Sequence, residues 1–180
     1  MKQFWIFGYG SLMWRPGFAF RHCEAALIRG YHRRLCVYSH VHRGTPERPG
    51  LVLGLDRGGS CHGMAFEIEA YDWDETLTYL RAREQVTMVY LEKRATVQLL
   101  SSALKIEAVT YVVDRRHHQY AGILTEDKIL SHVRQGVGVS GHCSDYALST
   151  LEHLREMNIY DKTLESLASR LRDQAATSNS

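Results

Sequence analysis

Residues 64–85 read Met64-Ala65-Phe66-Glu67-Ile68-Glu69-Ala70-Tyr71-Asp72-Trp73-Asp74-Glu75-Thr76-Leu77-Thr78-Tyr79-Leu80-Arg81-Ala82-Arg83-Glu84-Gln85, and the hydrophobic period changes within them. Met64, Phe66 and Ile68 alternate with Ala65, Glu67 and Glu69, the period-two pattern of a half-buried strand. Beyond Asp72 the spacing becomes helical. Trp73, Leu77 and Leu80 lie four and three apart, and at ~100° per residue they share one narrow arc. Asp72 or Asp74 caps a helix predicted to run to about Gln85.

Upstream of this stretch the chain reads mainly as strands. Gln3–Phe7 is a short apolar strand. Ala25–Ile28 and Leu35–Ser39 read as two strands around an Arg29-Gly30 turn. Residues 44–50 carry Gly44, Pro46, Pro49 and Gly50 and read as a loop. Beyond the helix, Arg94–Leu100 is expected to pair with Ala108–Val113. Helices dominate the rest: Thr125 caps one through Ile129, Leu130 and Val133 that Gly136 ends. Asp145–Met157 carries Ala147, Leu151 and Leu154 on one stripe, and Asp161 caps a last helix through Leu171. Strands first and helices later predict an α+β fold, a curved or barrel-like sheet with helices packed against it. No βαβ alternation supports a doubly wound sheet. The expected domain is 1–173, with 174–180 a small, polar, disordered tail.

Composition narrows the function classes. The chain has 180 residues, 44% hydrophobic and 23% charged, with a net charge of +2 from interspersed residues. This suits a soluble globular domain, with too little asymmetry to argue for nucleic acid or an anionic membrane as partner. No apolar run approaches the roughly 20 residues that span a bilayer. The opening residues lack the apolar stretch and cleavage site of a signal peptide. Cys23, Cys36, Cys61 and Cys143 form no Cys-x-x-Cys pair and are read as reduced thiols, so a cytoplasmic address is expected.

Glu84 stands out on geometry alone. It falls in the middle of the stripe that Trp73, Leu77 and Leu80 define, at the C-terminal end of the helix, with Arg81 and Arg83 to either side. A carboxylate on a core-facing stripe is costly unless paired or hydrogen-bonded, and the helix dipole disfavours negative charge at this end. Both effects raise its pKa toward the range of a general base. A structural reading stays open here, in which Glu84 satisfies Arg81 or Arg83, or the helix ends before it.

Phe7-Gly8-Tyr9-Gly10-Ser11-Leu12 follows the first strand. Two glycines in three residues permit a sharp turn with exposed consecutive N–H groups, able to hold a carboxylate or phosphate, with Ser11 adding a hydroxyl. Neither a P-loop nor a dinucleotide fingerprint is present, because Gly-Lys-Ser/Thr is missing and no helix clearly follows. A plain structural turn is the competing reading. Nothing places a histidine beside Ser11, so a Ser-His hydrolase is set aside. Ten histidines, among them His40-Val41-His42 and His117-His118, invite a metal, but no His-Glu-x-x-His or cysteine pair at ligand spacing occurs. No metal and no cofactor are expected.

Six segments in order complete the pattern: Trp5-Ile6-Phe7-Gly8-Tyr9-Gly10-Ser11-Leu12-Met13-Trp14-Arg15-Pro16, then Arg29-Gly30-Tyr31-His32-Arg33-Arg34, then His42-Arg43-Gly44-Thr45 with Pro49-Gly50, then Tyr79-Leu80-Arg81-Ala82-Arg83-Glu84, then Tyr120-Ala121-Gly122, then Gly138-Val139-Ser140-Gly141-His142-Cys143-Ser144-Asp145-Tyr146. Together, over about residues 3–165, they resemble the ChaC-like glutathione-specific γ-glutamylcyclotransferases. The resemblance implies a small β-barrel with flanking helices and a lyase that converts glutathione into 5-oxoproline and Cys-Gly. It assigns Glu84 as the catalytic acid/base and Ile6, Phe7, Gly8, Tyr9, Gly10 and Ser11 as the pocket that grips the γ-glutamyl group. Tyr146 joins them as a substrate-binding residue, although it lies off the apolar stripe of its helix. The implied partner is a small molecule; neither nucleic acid nor membrane is implied, and the oligomeric state is not. Alternatives within the same reading are a cyclotransferase for other γ-glutamyl amines or peptides, or a catalytically weak γ-glutamyl-binding regulatory module. Two departures from the family pattern are Gln85-Val86-Thr87-Met88-Val89 in place of a Gly-Gly stretch, which should stiffen that segment, and Cys143-Ser144-Asp145-Tyr146 in place of Asn-x-Glu-Tyr.

Overall fold

The computed structural model describes residues 3–177. Five strands, β1 (Phe4–Gly8), β2 (His22–Ser39), β3 (Gly50–Ile68), β4 (Tyr90–Leu99) and β5 (Lys105–Val113), close into a barrel in the order β1-β3-β2-β4-β5. The barrel is mixed: β1 runs antiparallel to β3 but parallel to β5, with Trp5 opposite Ala108 and Ile6 opposite Val109. β4 and β5 pair from Tyr90↔Val113 to Gln98↔Lys105, with Arg94 opposite Val109, so the expected pairing of these segments is present. Four helices accompany the strands: α1 (Trp73–Glu84), α2 (Glu126–Gln135), α3 (Cys143–Glu156) and α4 (Lys162–Thr177), with a two-residue hairpin of β6 (Val137–Gly138) and β7 (Gly141–His142) before α3. The α+β class and the barrel are as the sequence predicts.

The strands are longer than their local patterns suggest. The chain does not reverse at Arg29-Gly30 but continues as one strand, β2, with Gly30 at φ +85. Glycine takes this left-handed value without a Cβ clash, so a bend replaces the expected turn. In β3 the alternation is legible only at Met64–Ile68, because Gly54, Gly58, Gly59 and Gly63 interrupt it upstream, with Gly58 and Gly59 at φ +99 and +67. The last helix extends to Thr177, past the expected tail boundary at 173, while 178–180 lie outside the described residues.

Two compact units are distinguished. The first comprises the chain up to Arg33 and Gly54–His117; the second comprises Arg34–Leu53 and the chain from His118 on. In the first, Ile6, Phe66, Ile68, Val109 and Tyr111 turn one barrel face toward Trp73, Leu77 and Leu80 of α1, all of them buried. The stripe read from the sequence is therefore the contact face. Burial of a side chain such as Leu80 contributes about 1.5–3 kcal/mol. In the second unit, Thr125 caps α2 by accepting from the Lys128 N–H, and Asp161 caps α4 by accepting from the Leu164 N–H at 3.1 Å, as their positions predict. The four cysteines are free thiols. Among the described residues no helix is long and apolar enough to cross a membrane.

Where β1 ends, Gly63 allows β3 to come very close. A Cβ at this position would sit 2.3 Å from the Gly8 carbonyl oxygen and 2.7 Å from the Phe7 ring. Backbone and a fully buried ring cannot yield cheaply, and overpacking of this kind costs about 1–3 kcal/mol. Gly63→Ala is expected to lower the unfolding free energy by that amount in urea denaturation; unchanged stability would contradict the close approach.

Candidate active site

Glu84 is the last residue of α1, and its side chain is 18% exposed. The helix ends there because Gln85 leaves helical geometry, its N–H closing onto the Arg81 carbonyl. Burial pushes the Glu84 carboxyl above the usual carboxylate range, and the neighbouring Arg83 guanidinium, with Nε 3.4 Å from Oε1, pulls part of the way back. Desolvation is the larger effect, as the sequence position predicts.

A second carboxylate beside it behaves in the opposite way. Glu92 of β4 accepts two hydrogen bonds from Arg81, at 2.8 and 2.9 Å, and one from the Tyr111 hydroxyl at 3.1 Å. The paired guanidinium holds the Glu92 carboxyl below its ordinary range. Burial, with Glu92 and Glu84 as neighbouring negative charges, pushes the Tyr111 phenol up, which keeps its proton in place as a donor. The two carboxylates are pushed apart: Arg81 favours the ionised form of Glu92, and burial disfavours that of Glu84.

The glycine loop lies at the C-terminal end of β1. It continues as one 3-10 turn, Ser11–Met13, in which the Met13 N–H donates to the Gly10 carbonyl at 2.9 Å. A short helical turn thus follows the loop, where the sequence shows no clear helix. Among the described residues, the backbone N–H groups of Gly10, Ser11 and Leu12 meet no acceptor. Ile6, Phe7 and Tyr9 are buried, so this part of the loop supplies backbone and packing rather than a solvent-facing side chain.

Arginines hold this loop in place. Arg83 donates through Nη2 to Ser11 Oγ at 2.8 Å and through Nη1 to the carbonyls of Arg15 and Pro16, at 2.7 and 3.2 Å, and to the Tyr79 hydroxyl at 3.0 Å. From the other side Arg33 of β2 donates to the Tyr9 carbonyl at 2.6 Å and to that of His62 at 2.7 Å. Arg83 therefore touches both the loop and Glu84. Hydrogen bonds from a charged donor of this type are shorter and stronger than neutral ones.

Sequence reasoning finds Glu84 and the loop but assigns no role to Arg33 or Glu92, and reads Arg83 only as a flanking charge. Arg83 carries a usable signal, since it directly precedes a carboxylate on a buried stripe. The partners of Arg33 are 24 and 29 residues away and those of Glu92 are 11 and 19, and they follow only from the fold.

Tyr146 belongs to the second unit. Its hydroxyl accepts the Leu53 N–H at 3.0 Å, and the Arg43 guanidinium lies 5.5 Å above its ring. The first turn of α3 satisfies the start of β3 in this way, because the Cys143 thiol also accepts from the Leu51 N–H at 3.3 Å and donates to the Leu51 carbonyl at 3.1 Å. Burial pushes the Cys143 thiol up, which preserves it as a donor. The histidines are engaged separately: His42 Nδ1 pairs with Ser140 Oγ at 2.9 Å, and His40 stacks between Tyr38 and His118.

After Glu84 the chain departs from the expected glycines, and Met88 adopts φ +60. This left-handed conformation costs a non-glycine residue about 1–2 kcal/mol. Val86 and Met88 are exposed along this segment.

Known proteins share this fold and sequence. The profile of the ChaC-like protein family matches residues 4–174. The glutathione-specific gamma-glutamylcyclotransferase of Escherichia coli strain K12 is 31% identical over 163 residues, covering 91% of this chain and 70% of the relative. Glutathione-specific gamma-glutamylcyclotransferase 1 of Danio rerio is 35% identical over 162 residues, covering 86% and 80%. The crystal structure of a gamma-glutamyl cyclotransferase specific to glutathione from yeast superposes with a TM-score of 0.83 at 22% identity, covering 96% of this chain and 97% of that one, and shares the fold. A matching profile over nearly the whole chain, with relatives above 30% identity, makes this protein a member of the ChaC-like family.

Proposed function

We propose that the protein is a glutathione-specific γ-glutamylcyclotransferase with Glu84 as its acid/base residue. One observation carries the assignment of the residue: a mostly buried carboxylate with a raised pKa shares Arg83 with the glycine loop. The substrate comes from the relatives, whose names specify glutathione. A cytoplasmic location belongs to the same proposal, supported by the free thiols of Cys36, Cys61 and Cys143, which persist in a reducing compartment.

The chemistry is an intramolecular aminolysis. The substrate's α-amine nitrogen attacks the carbon of its own γ-amide, forming a C–N bond and a five-membered ring. A free α-amine has a pKa of roughly 7.7–8.0, so much of it is protonated at neutral pH and cannot attack. Glu84 removes that proton, the second proton that the attacking nitrogen sheds as the ring closes passes to solvent, and the released amine takes one up from solvent. The tetrahedral intermediate then collapses, the original amide C–N bond breaks, and Glu84 returns a proton to the departing nitrogen. The products are 5-oxoproline and Cys-Gly, with no net proton change and no redox step.

Because both reacting groups lie in one molecule, most of the enzyme's work is to hold the ring-closing conformer. Alignment of this kind is worth up to about 7–11 kcal/mol of barrier. The open N–H groups of Gly10, Ser11 and Leu12 are suited to an α-carboxylate or to the developing oxyanion, and Ile6, Phe7, Gly8 and Tyr9 carry that loop. Arg33 and Arg83 fix it against the end of α1. Tyr146 is retained in this proposal as a residue that shapes substrate binding through β3, whose Leu53 it holds.

Three outcomes test the reading. Glu84→Gln is expected to lower kcat for 5-oxoproline release about 10²–10⁴-fold, the usual range for loss of a general acid/base; near-wild-type release would remove Glu84 from the mechanism. The same variant has a stability signature. A carboxyl whose folded pKa is raised binds its proton more tightly folded than unfolded, so its ionisation costs stability as pH rises from the unfolded to the folded value. Glu84→Gln should thus be at least as stable as the native protein at pH 7 and lose that advantage in acid, as read by melting temperature across pH. Arg83→Met removes the cation that favours ionised Glu84, so the acid limb of the kcat/KM profile should move to higher pH. Because the substitution also removes the hydrogen bonds that fix the loop, KM should rise about tenfold or more. An unmoved limb with an unchanged KM would show that Arg83 supports neither group.

A further inference from the structure

Arg81 stands three residues before Glu84 on α1. Side chains at that spacing are neighbours on a helix, about 5–6 Å apart at Cβ. A cation so placed is within reach of the Glu84 carboxylate, yet the cation that opposes the effect of burial on Glu84 is Arg83. The Arg81 guanidinium turns to β4 instead. Its Nε and Nη2 donate to the two oxygens of Glu92, at 2.8 and 2.9 Å. Such a two-pronged pair fixes orientation as well as charge.

Glu92 is itself held. The β4–β5 register sets it opposite Tyr111, whose hydroxyl donates to Oε2 at 3.1 Å. Tyr111 is buried in the cluster that also holds Trp73, Leu77 and Leu80 of α1. The brace on Glu92 and the packed face of the helix therefore share one interior. Glu92 and Glu84 both act on the Tyr111 phenol as nearby negative charges, so the two carboxylates flank the same buried group. The Arg81–Glu92 pair is itself partly exposed, and exposed ion pairs contribute little to stability. Its larger consequence is where it puts charge.

The charged and titratable groups around Glu84 come from four places. α1 supplies Arg81 and Arg83, and Arg15 belongs to the segment after β1 that Arg83 holds. β4 supplies Glu92, with Tyr90 and Arg94 on the same strand face, and β5 supplies Tyr111. β1 and β3 turn the uncharged Ile6, Phe66 and Ile68 to the helix. An unpaired cation within about 4–6 Å lowers a carboxyl pKa by about 1–3 pH units, and an unpaired carboxylate raises it. Bound to each other, Arg81 and Glu92 largely cancel at Glu84. Burial and Arg83 are then left to set its ionisation.

We propose that Glu92 is a positioning residue for the reaction: by binding Arg81 through both carboxylate oxygens, and held in turn by Tyr111, it keeps the Arg81 cation away from Glu84 and so sets the pH range in which Glu84 accepts a proton. The proposal rests on the cyclotransferase reading. It is tested with Glu92→Gln, Arg81→Gln and the variant carrying both. For each, the pH profile of kcat/KM for glutathione is measured beside a carbon-13 titration of the labelled Glu84 carboxyl. Glu92→Gln frees Arg81, which favours ionised Glu84, so the acid limb and the Glu84 midpoint should both fall by about one pH unit. Arg81→Gln leaves the Glu92 carboxylate uncompensated, and both quantities should rise. The combined variant should return them to near the values of the unsubstituted protein. Loss of a purely structural contact does not reverse sign with the charge removed. Unmoved midpoints in both single variants, shifts of the same sign, or a combined variant that stays displaced would each overturn the proposal. If Glu92→Gln unfolds, Arg81→Gln alone decides, by a Glu84 midpoint that rises or one that does not. The enzymatic reading fails separately, by absence of 5-oxoproline when the unsubstituted protein is incubated with glutathione.

Discussion

The Arg83 guanidinium joins the two parts of the candidate site that the chain supplies far apart. Its donors reach Ser11, Arg15 and Pro16 in the segment after β1, while its Nε lies beside Glu84 at the end of α1. Without that guanidinium the loop and the carboxylate are held only through the barrel between them. With it, the loop has a fixed position relative to the Glu84 carboxylate. The arrangement also sets a balance. Burial raises the Glu84 pKa and Arg83 limits the rise.

That balance depends on how α1 packs. Trp73, Leu77 and Leu80 commit one helix face to the barrel, and helical periodicity then brings Glu84 onto the same face. The carboxylate is desolvated because the hydrophobic residues one to three turns earlier are buried. Arg81, on the flank, is committed to Glu92, which Tyr111 of the barrel wall also holds. The candidate site and the fold are thus coupled through a single twelve-residue helix.

Much of this is legible in residues 64–85, because strand and helix periods are local properties. Asp161 and Thr125 are legible as caps for the same reason. The lengths of β2 and β3 are not, since glycine at Gly30, Gly58 and Gly59 signals a turn locally, whereas the barrel uses the same freedom to bend continuous strands. Arg33 and Glu92 are also hidden. Each depends on which strands become neighbours. Tyr146 lies off the apolar stripe of its helix, so its partner is not legible locally, and its hydroxyl accepts from the β3 backbone. The segment after Glu84 lacks glycine, and Met88 there adopts a backbone conformation that suits glycine.

Everything proposed for the site requires Glu84 to be a desolvated carboxylate whose ionisation gates proton transfer. The decisive measurement is a carbon-13 NMR titration of the labelled Glu84 carboxyl, set beside the pH profile of kcat/KM for glutathione. The expected titration midpoint lies above that of an ordinary glutamate and coincides with the acid limb of the profile. A Glu84 midpoint at or below the ordinary value, or an acid limb that titrates elsewhere, would contradict that role.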